Sequence, residues 1–381
     1  MRAWIVLGVV ASALLSASLA AGQNTWYVAS SGSDSNGCTS SQPCATIAHA
    51  STLARPGDTV LVAPGTYYGS FQTRASGTAS AYITYFSKER WGAKLVQGHS
   101  GSAWGNYGSY VVIDGFEVVG SSDSIGVNGI YTRGAYTVIR HNKIHGILPN
   151  TCKGIGGSGI QLDSSHDQAI ANYVYQIGPQ SGSPLYPCSY IHGIYFLKPF
   201  GMAVGNVVFQ TSGYGIHEWH QASDITVVNN TTFNNGYGGI LVGNDGSEAP
   251  NQNDRSVVDN NIAYRNGKFG IHECCKKAYT GNCNLYNNNL LFGNPTNIEL
   301  QTGSHTNTKI ADPLFVNYTG DPSGDYHLQP ASPGINQGRM SDGNGSCGTS
   351  VDFPRFDFAG NARPRAAGKT AFDVGAYESS P

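Results

Sequence analysis

Two short patterns alternate through the middle of this chain, and their spacing limits what it can fold into. The first is Gly-Ile followed by strand-forming residues: GIYTR (129–133), GIQLD (159–163), GIYFL (193–197), GIHEW (215–219), GILVG (239–243) and GIHEC (270–274), with NIELQ (297–301) as a seventh copy. The second is an apolar stretch, then Asn, any residue, and usually an apolar one. Its asparagines are Asn142, Asn172, Asn206, Asn230, Asn260 and Asn288. Gly to the next Asn is 13 residues in the first three repeats, and Asn to the next Ile is 10 or 11 from Asn206 onward. A minimal turn is thus 22–24 residues, enough for three short strands. Such a unit cannot bury its own apolar side, so it must stack on its neighbours. The expectation is an all-β parallel β-helix with strands about 4.8 Å apart. Equivalent asparagines then form an internal amide ladder, which would also bury Asn230 of the Asn-Thr-Thr sequon.

Composition agrees with a secreted all-β protein. There are 50 Gly and 22 Tyr, and only 12% of residues are charged. A net charge of −2 argues against nucleic acid, which wants a basic stripe. Residues 1–22 have the pattern of a secretory signal, and no later stretch is apolar enough to span a membrane. We therefore expect a mature chain, 23–381, that is secreted or periplasmic, monomeric and folded as one domain. Repeats are clearest over 110–302, and 303–381 forms a turn-rich capping segment. The eight cysteines can then oxidise. Cys38 brackets a short loop with Cys44, and Cys152 lies in a loop equivalent to that of Cys188. Cys283 is expected to pair with Cys274 or Cys275, leaving the other with Cys347. No two-residue Cys spacing supports a zinc site.

The chain resembles the right-handed parallel β-helix proteins of the pectate-lyase-like superfamily. The resemblance lies in TWYVASSGSDSNG (25–37) and CATIAHASTLARPGDTVLVAPGTYYG (44–69). It continues in ADPLF (311–315), GDYHLQPASPGINQG (324–338), DFAGNARP (357–364) and FDVGAYE (372–378). It implies a right-handed coil with the Asn ladder between the second and third strands. The Gly-Ile strands are then the first of each coil and floor a sugar-binding groove. Long loops at 148–158, 178–191, 244–255 and 275–284 flank that sheet and can wall a cleft.

If Ile points inward, the next residue points out. Successive coils then display Tyr131, Gln161, Tyr195, His217, Leu241, His272 and Glu299. Two residues on come Arg133, Asp163, Leu197, Trp219, Gly243, Cys274 and Gln301, with Lys198 and His220 at strand ends. Aromatic faces pack on sugar rings, and polar groups read hydroxyls or carboxylates. Tyr131, Gln161, Asp163, Trp219, His220 and Glu299 are therefore candidate substrate contacts. Glu218 and Glu273 point inward by strict alternation, unless the strand ends early and turns them toward the cleft.

The chemistry first expected of this groove is β-elimination from a uronate-containing polysaccharide. That needs a base, a group that neutralises charge, and an acid at the leaving oxygen. The resemblance implies Lys or Arg as base, often with calcium; Lys198 matches in type and position. Arg133, His217 or His272 would neutralise charge, and Tyr195 would be the acid. Asp163 and Asp167 are candidate calcium ligands, but they form no clear acidic cluster. An alternative is an inverting glycoside hydrolase that uses Glu218 and Glu273. They lie two coils apart, about 9–10 Å, near the upper end of the inverting range. A third possibility is a non-catalytic carbohydrate-binding or surface module. No nucleophile-elbow motif supports an esterase.

Overall fold

A computed structural model describes residues 23–121, 127–149, 151–152, 156–249, 252–344, 347, 349–353, 355–364 and 371–379. The expected signal segment, 1–22, lies outside the described residues. Three long parallel sheets run the length of the molecule, with nine, nine and ten strands. Each coil contributes one strand to each sheet, giving a right-handed parallel β-helix.

The Gly-Ile strands form one sheet in register. Ile130, Ile160, Ile194, Ile216, Ile240, Ile271 and Ile298 pair in succession. Ile130 through Ile271 are fully buried in the coil interior. The glycine before each isoleucine answers a close approach. A Cβ on Gly193 would lie 2.3 Å from Val208 Cγ1 and 2.5 Å from the Gly215 carbonyl oxygen. Helix Ile47–Leu53 packs against the first coils, with Thr46 as N-cap accepting from the His49 N–H at 3.1 Å.

The asparagine ladder is present, but two of its rungs differ from expectation. It runs Asn142, Asn172, Asn206, Asn230, Asn261, Asn289, each amide oxygen accepting from the rung before. Asn260 and Asn288 are therefore not rungs. They occupy the preceding left-handed position, with φ of 58° and 54°, where asparagine is tolerated. Earlier coils place His141, Ala171 and Gly205 there. From that position Asn260 and Asn288 bond the backbone of Arg339 and Gln337 in the C-terminal segment. A second ladder, Asn235–Asn266–Asn294, fills another corner of the later coils.

The C-terminal segment lies along the coils. Phe315, Tyr326, Leu328, Phe358 and Val374 cover the outside of the ten-stranded sheet against Tyr173, Phe209, Phe233 and Tyr264. Phe353 and Phe372 cover Val204, Val228 and Val257 of the second sheet. The segment's clusters thus sit on two sheets, and the outer face of the Gly-Ile sheet carries the cavities described next.

Four disulfides close the framework. Cys38–Cys44 and Cys152–Cys188 pair as expected. The other four cysteines do not. Cys283 joins Cys347, and Cys274 joins Cys275. The tail's return path brings Cys347 to Cys283, with Cα atoms 5.9 Å apart, and repeat spacing alone does not show that path.

Candidate functional site

The outward row of the Gly-Ile sheet is Tyr131, Gln161, Tyr195, His217, Leu241, His272 and Glu299, each paired with the next. Over its middle strands lies a cavity of about 620 Å³. Gln161, Tyr195, His217, Leu241, Trp219 and His220 line it, with His192, Tyr214, Asp245, Cys274 and Cys275 among the others. A second cavity, of about 390 Å³, lies over the early strands and is lined by Gln72, Tyr107, Asn128 and Tyr131.

His192 and Tyr214 are the contributions that the sequence pattern missed. Both precede a Gly-Ile pair. That glycine hugs the third sheet, so the alternation slips and the residue before it also faces the groove. Their signal in the sequence is an aromatic or imidazole residue directly ahead of Gly-Ile.

The imidazoles form a relay. Nδ1 of His192 accepts from the Tyr214 backbone N–H at 3.4 Å. Its Nε2 lies 2.6 Å from Nδ1 of His217. Since His192 accepts at Nδ1, it carries its proton on Nε2 and donates to His217. His217 therefore carries its proton on its own Nε2. That atom is buried and has no hydrogen-bond partner among the described residues. Burial lowers the His192 pKa to about 3. Burial, with His192, His220 and His272 nearby, holds His217 well below the usual imidazole range. Both rings are neutral at pH 7.

In the intervening GILVG coil Leu241 stands at the histidine position, and two glycines of that strand make room for side chains of the coil before. A Cβ on Gly238 would lie 2.6 Å from the Tyr214 ring, and one on Gly243 would lie 2.9 Å from Trp219. Over Gly238, Tyr214 reaches two coils on to His272, with its hydroxyl 2.8 Å from Nδ1. Burial, then repulsion from Lys268, lowers His272 to about 4. Tyr195 stacks on His217, with ring centroids 4.9 Å apart. Burial and the carboxylates of Asp245, Glu248 and Asp163 push its phenol up, so it stays protonated. Its hydroxyl makes no hydrogen bond among the described residues.

The other candidates are placed differently. Lys198 donates to Gln221 Oε1 at 2.6 Å and is not part of the cavity lining. His220 lines the cavity, with Nδ1 3.2 Å from Glu248 Oε1. Tyr131, Asp163 and Arg133 form their own cluster: the Tyr131 hydroxyl donates to Asp163 at 2.8 Å, and Arg133 Nε lies 3.6 Å away. Glu299 is exposed, 3.8 Å from His272 Nε2.

Glu218 and Glu273 point into the coil. Both are fully buried, which corrects the expectation that they flank a scissile bond. Alternation along the strand sends His out and Glu in. Glu218 accepts from Asn253 at 3.0 Å and from Ser256 at 2.7 Å. Glu273 accepts from Asn284, Tyr286 and the backbone amides of Gln301, Thr302 and Gly303. Neither reaches the groove.

Calcium does not fit the residues proposed for it. The ion takes about 6–8 oxygen ligands. Asp167 is buried, bonded to Thr132 and the Thr137 N–H, and burial raises its pKa well above the carboxylate range. Asp163 is engaged by Tyr131. Among the described residues, the one cluster of three His, Cys, Asp or Glu side chains close enough to share an ion is Cys38, Cys44 and His49; it offers no oxygen, and a disulfide already joins its cysteines.

The chain matches two family profiles: a Pel9A-like right-handed β-helix region over residues 26–177 and a right-handed β-helix region over 128–315. In structure it is similar to pectate lyase Pel9A, with a TM-score of 0.60 and 17% identity, covering 94% of this chain and 97% of that one. It is also similar to an alginate lyase from Paenibacillus sp. str. FPU-7, with a TM-score of 0.54 and 20% identity, covering 75% and 95%. At these identities the likeness is one of fold. In sequence, a 63-residue stretch is 41% identical to the uncharacterized protein YwoF of Bacillus subtilis (strain 168). That stretch spans 16% of this chain and 14% of YwoF.

Proposed function

Because the chain is a right-handed parallel β-helix protein of the pectate-lyase-like kind, we propose that its groove binds a uronate-containing polysaccharide and cleaves it by β-elimination. The observation that carries this reading is the make-up of the larger cavity. It holds proton-transfer groups without a facing pair of carboxylates. Imidazoles of His192, His217 and His220 and phenols of Tyr195 and Tyr214 line it, and Asp245 is the one lining carboxylate among the described residues. Glycoside hydrolysis asks for two carboxylates across the bond. Elimination asks for a base, a donor to the carboxyl group, and an acid.

In this reading His220 takes the proton on carbon 5. Glu248 Oε1 lies 3.2 Å from its Nδ1. The Nε2–H of His217 is the donor for the sugar's carboxyl group. Tyr195 gives its proton to the oxygen leaving carbon 4, and a double bond forms between carbons 4 and 5. Lys198, the base suggested by resemblance, is the competing assignment. The four disulfides suit an oxidising compartment, so we read the protein as exported.

The test is incubation with a panel of uronate and neutral polysaccharides. Chain breaks accompanied by the ultraviolet absorption of an unsaturated uronate support elimination. Reducing ends without that absorption mean hydrolysis, and binding without cleavage means a module; either sinks the reading. His220→Ala and Tyr195→Phe should each lower kcat by about 10²–10⁴-fold, and Lys198→Ala by less than about tenfold. The reverse order would move the base to Lys198.

A further inference from the structure

We propose that this protein carries a second saccharide site, outside the groove, that holds a short acidic oligosaccharide by a carboxylate on Arg265. That the anion is a sugar rests on the polysaccharide reading; the site rests on its own geometry. A cavity of about 470 Å³ opens at the corner where the third strands turn toward the next Gly-Ile strands. Gln176, Gln210, Asn234 and Arg265 line it, one from each of four successive coils. The loop at 178–191 adds Gln180, Ser181 and Tyr186. The same loop gives Ser189 and Tyr190 to the groove cavity, yet no residue lines both.

The four residues of the column share a backbone state that glutamine and arginine do not favour. Their φ angles are 54°, 52°, 52° and 51°, in the left-handed region where glycine sits most easily. Glycine does take this position in the flanking coils, as Gly146 and Gly293. Long polar side chains at such a position call for something that they hold. Part of it is the C-terminal segment. The Gly320 carbonyl accepts from Gln210 at 3.1 Å and from Asn234 at 3.2 Å, and the Tyr318 hydroxyl donates to Asn234 at 2.6 Å. Those bonds leave Oε1 of Gln210 buried with no partner among the described residues. A buried acceptor without a donor is costly, and a sugar hydroxyl is a donor.

Charge makes the sugar an acidic one. Arg265 is the one ionic side chain lining the cavity among the described residues. Its guanidinium stands 5.1 Å from the Tyr264 ring centroid and 5.4 Å from that of Tyr318, so two rings hold it in place. It forms no ion pair among the described residues, whereas Arg140 and Arg255 each grip an aspartate. Burial, then Asp312, raises the Tyr264 phenol, but Asp312 does not line the cavity. Lys268 follows the lining Gly267 and sets its ammonium 4.7 Å from the Phe269 ring centroid; the charge it adds is also positive. A carboxylate meets Arg265 through the paired N–H bonds for which a guanidinium is shaped. The amides of Gln176 and Gln180 and the Ser181 hydroxyl then read sugar hydroxyls, and Tyr186 offers an aromatic side chain to the apolar side of a ring. From Gln176 to Arg265 is three coil steps, about 14 Å, the span of a short oligosaccharide rather than of one sugar.

The test is a titration of the mature, isotope-labelled chain followed by backbone amide NMR. The probes are trimers of galacturonate, mannuronate and guluronate, neutral trimers of galactose and mannose, and inorganic phosphate. The expected result is saturable shifts at Gln210, Asn235 and Gly267 with at least one acidic trimer, at least about tenfold tighter than with a neutral trimer or phosphate. Arg265→Gly and Gln210→Gly place there the residue that the flanking coils hold, so both should keep the native melting temperature. Each should weaken the binding at least about tenfold. Shifts confined to groove residues overturn the proposal, and so does undiminished binding in both folded variants. Phosphate bound as tightly as the best trimer would make this a bare anion site, and neutral trimers bound as tightly would remove the role of Arg265; either result sinks it. A lack of unsaturated product from every polymer would end the elimination reading and leave this site standing wherever the shifts persist.

Discussion

Gly-Ile-His-Glu occurs at 215–218 and again at 270–273, and its four residues split their roles by side. Gly permits the close approach of the next coil's backbone, at the Gly239 and Asn297 carbonyls, Ile fills the core, His faces the groove and Glu enters the coil. The buried Glu218 gives this arrangement a measurable signature. Burial pushes its carboxyl up to about 7 from 4.5, against the hydrogen bonds from Asn253 and Ser256. Between those two values the folded chain holds more protons than the unfolded one. Stability therefore falls as pH rises through that window and levels off above it. The loss attributable to Glu218 is on the order of 3 kcal/mol. Denaturant titrations across this range should show the slope, and Glu218→Gln should flatten it. A variant that keeps the full slope would assign the effect to another group.

At the scale of the element, each coil is held to the next by its asparagine. Asn206 donates to the Ala169 carbonyl at 2.8 Å and to Asn230 at 2.9 Å, and its oxygen accepts from the backbone and side chain of Asn172. Asn206→Ala leaves those partners buried and unpaired, at about 1–3 kcal/mol each before relaxation. We expect a total loss of ~3 kcal/mol or more in equilibrium unfolding; a loss under ~1 kcal/mol would mean that water replaces the amide. The repeat spacing made the outward row legible, because one register governs every coil. The ladder was legible only to within one residue in the last two coils. Asn260-Asn261 and Asn287-Asn288-Asn289 offer adjacent asparagines, and spacing does not say which takes the left-handed turn. His192 and Tyr214 escaped because alternation was counted forward from Ile. The slip at Gly depends on contact with a different sheet, which no local pattern records.

At the scale of the molecule, the C-terminal segment accounts for the motifs nearest the chain's end. Arg363 and Glu378 form a buried ion pair at 3.1 Å, and Arg363 also donates to the carbonyls of Asp373 and Gly375. GNARP and DVGAYE thus serve the packing of the segment on the coils rather than the groove. The segment covers apolar strands on two sheets, so its attachment bears on whether residues 23–381 act as one domain. We propose that they do. A stacked array gains stability from neighbours, and the tail bonds to several coils at once, through Asn229, Asn260 and Asn288. Arg363→Ala takes the guanidinium away from the buried Glu378 carboxylate, which keeps the Asp373 N–H at 3.0 Å, a change that costs ~3–5 kcal/mol. In one cooperative unit that loss lowers a single calorimetric transition, whose van't Hoff and calorimetric enthalpies still agree. In a two-unit molecule the variant instead releases a separate low-temperature transition, and the main one stays where it was. Scanning calorimetry of both proteins, with the Cys283–Cys347 bond intact, distinguishes the two, and a split transition would end the one-domain reading.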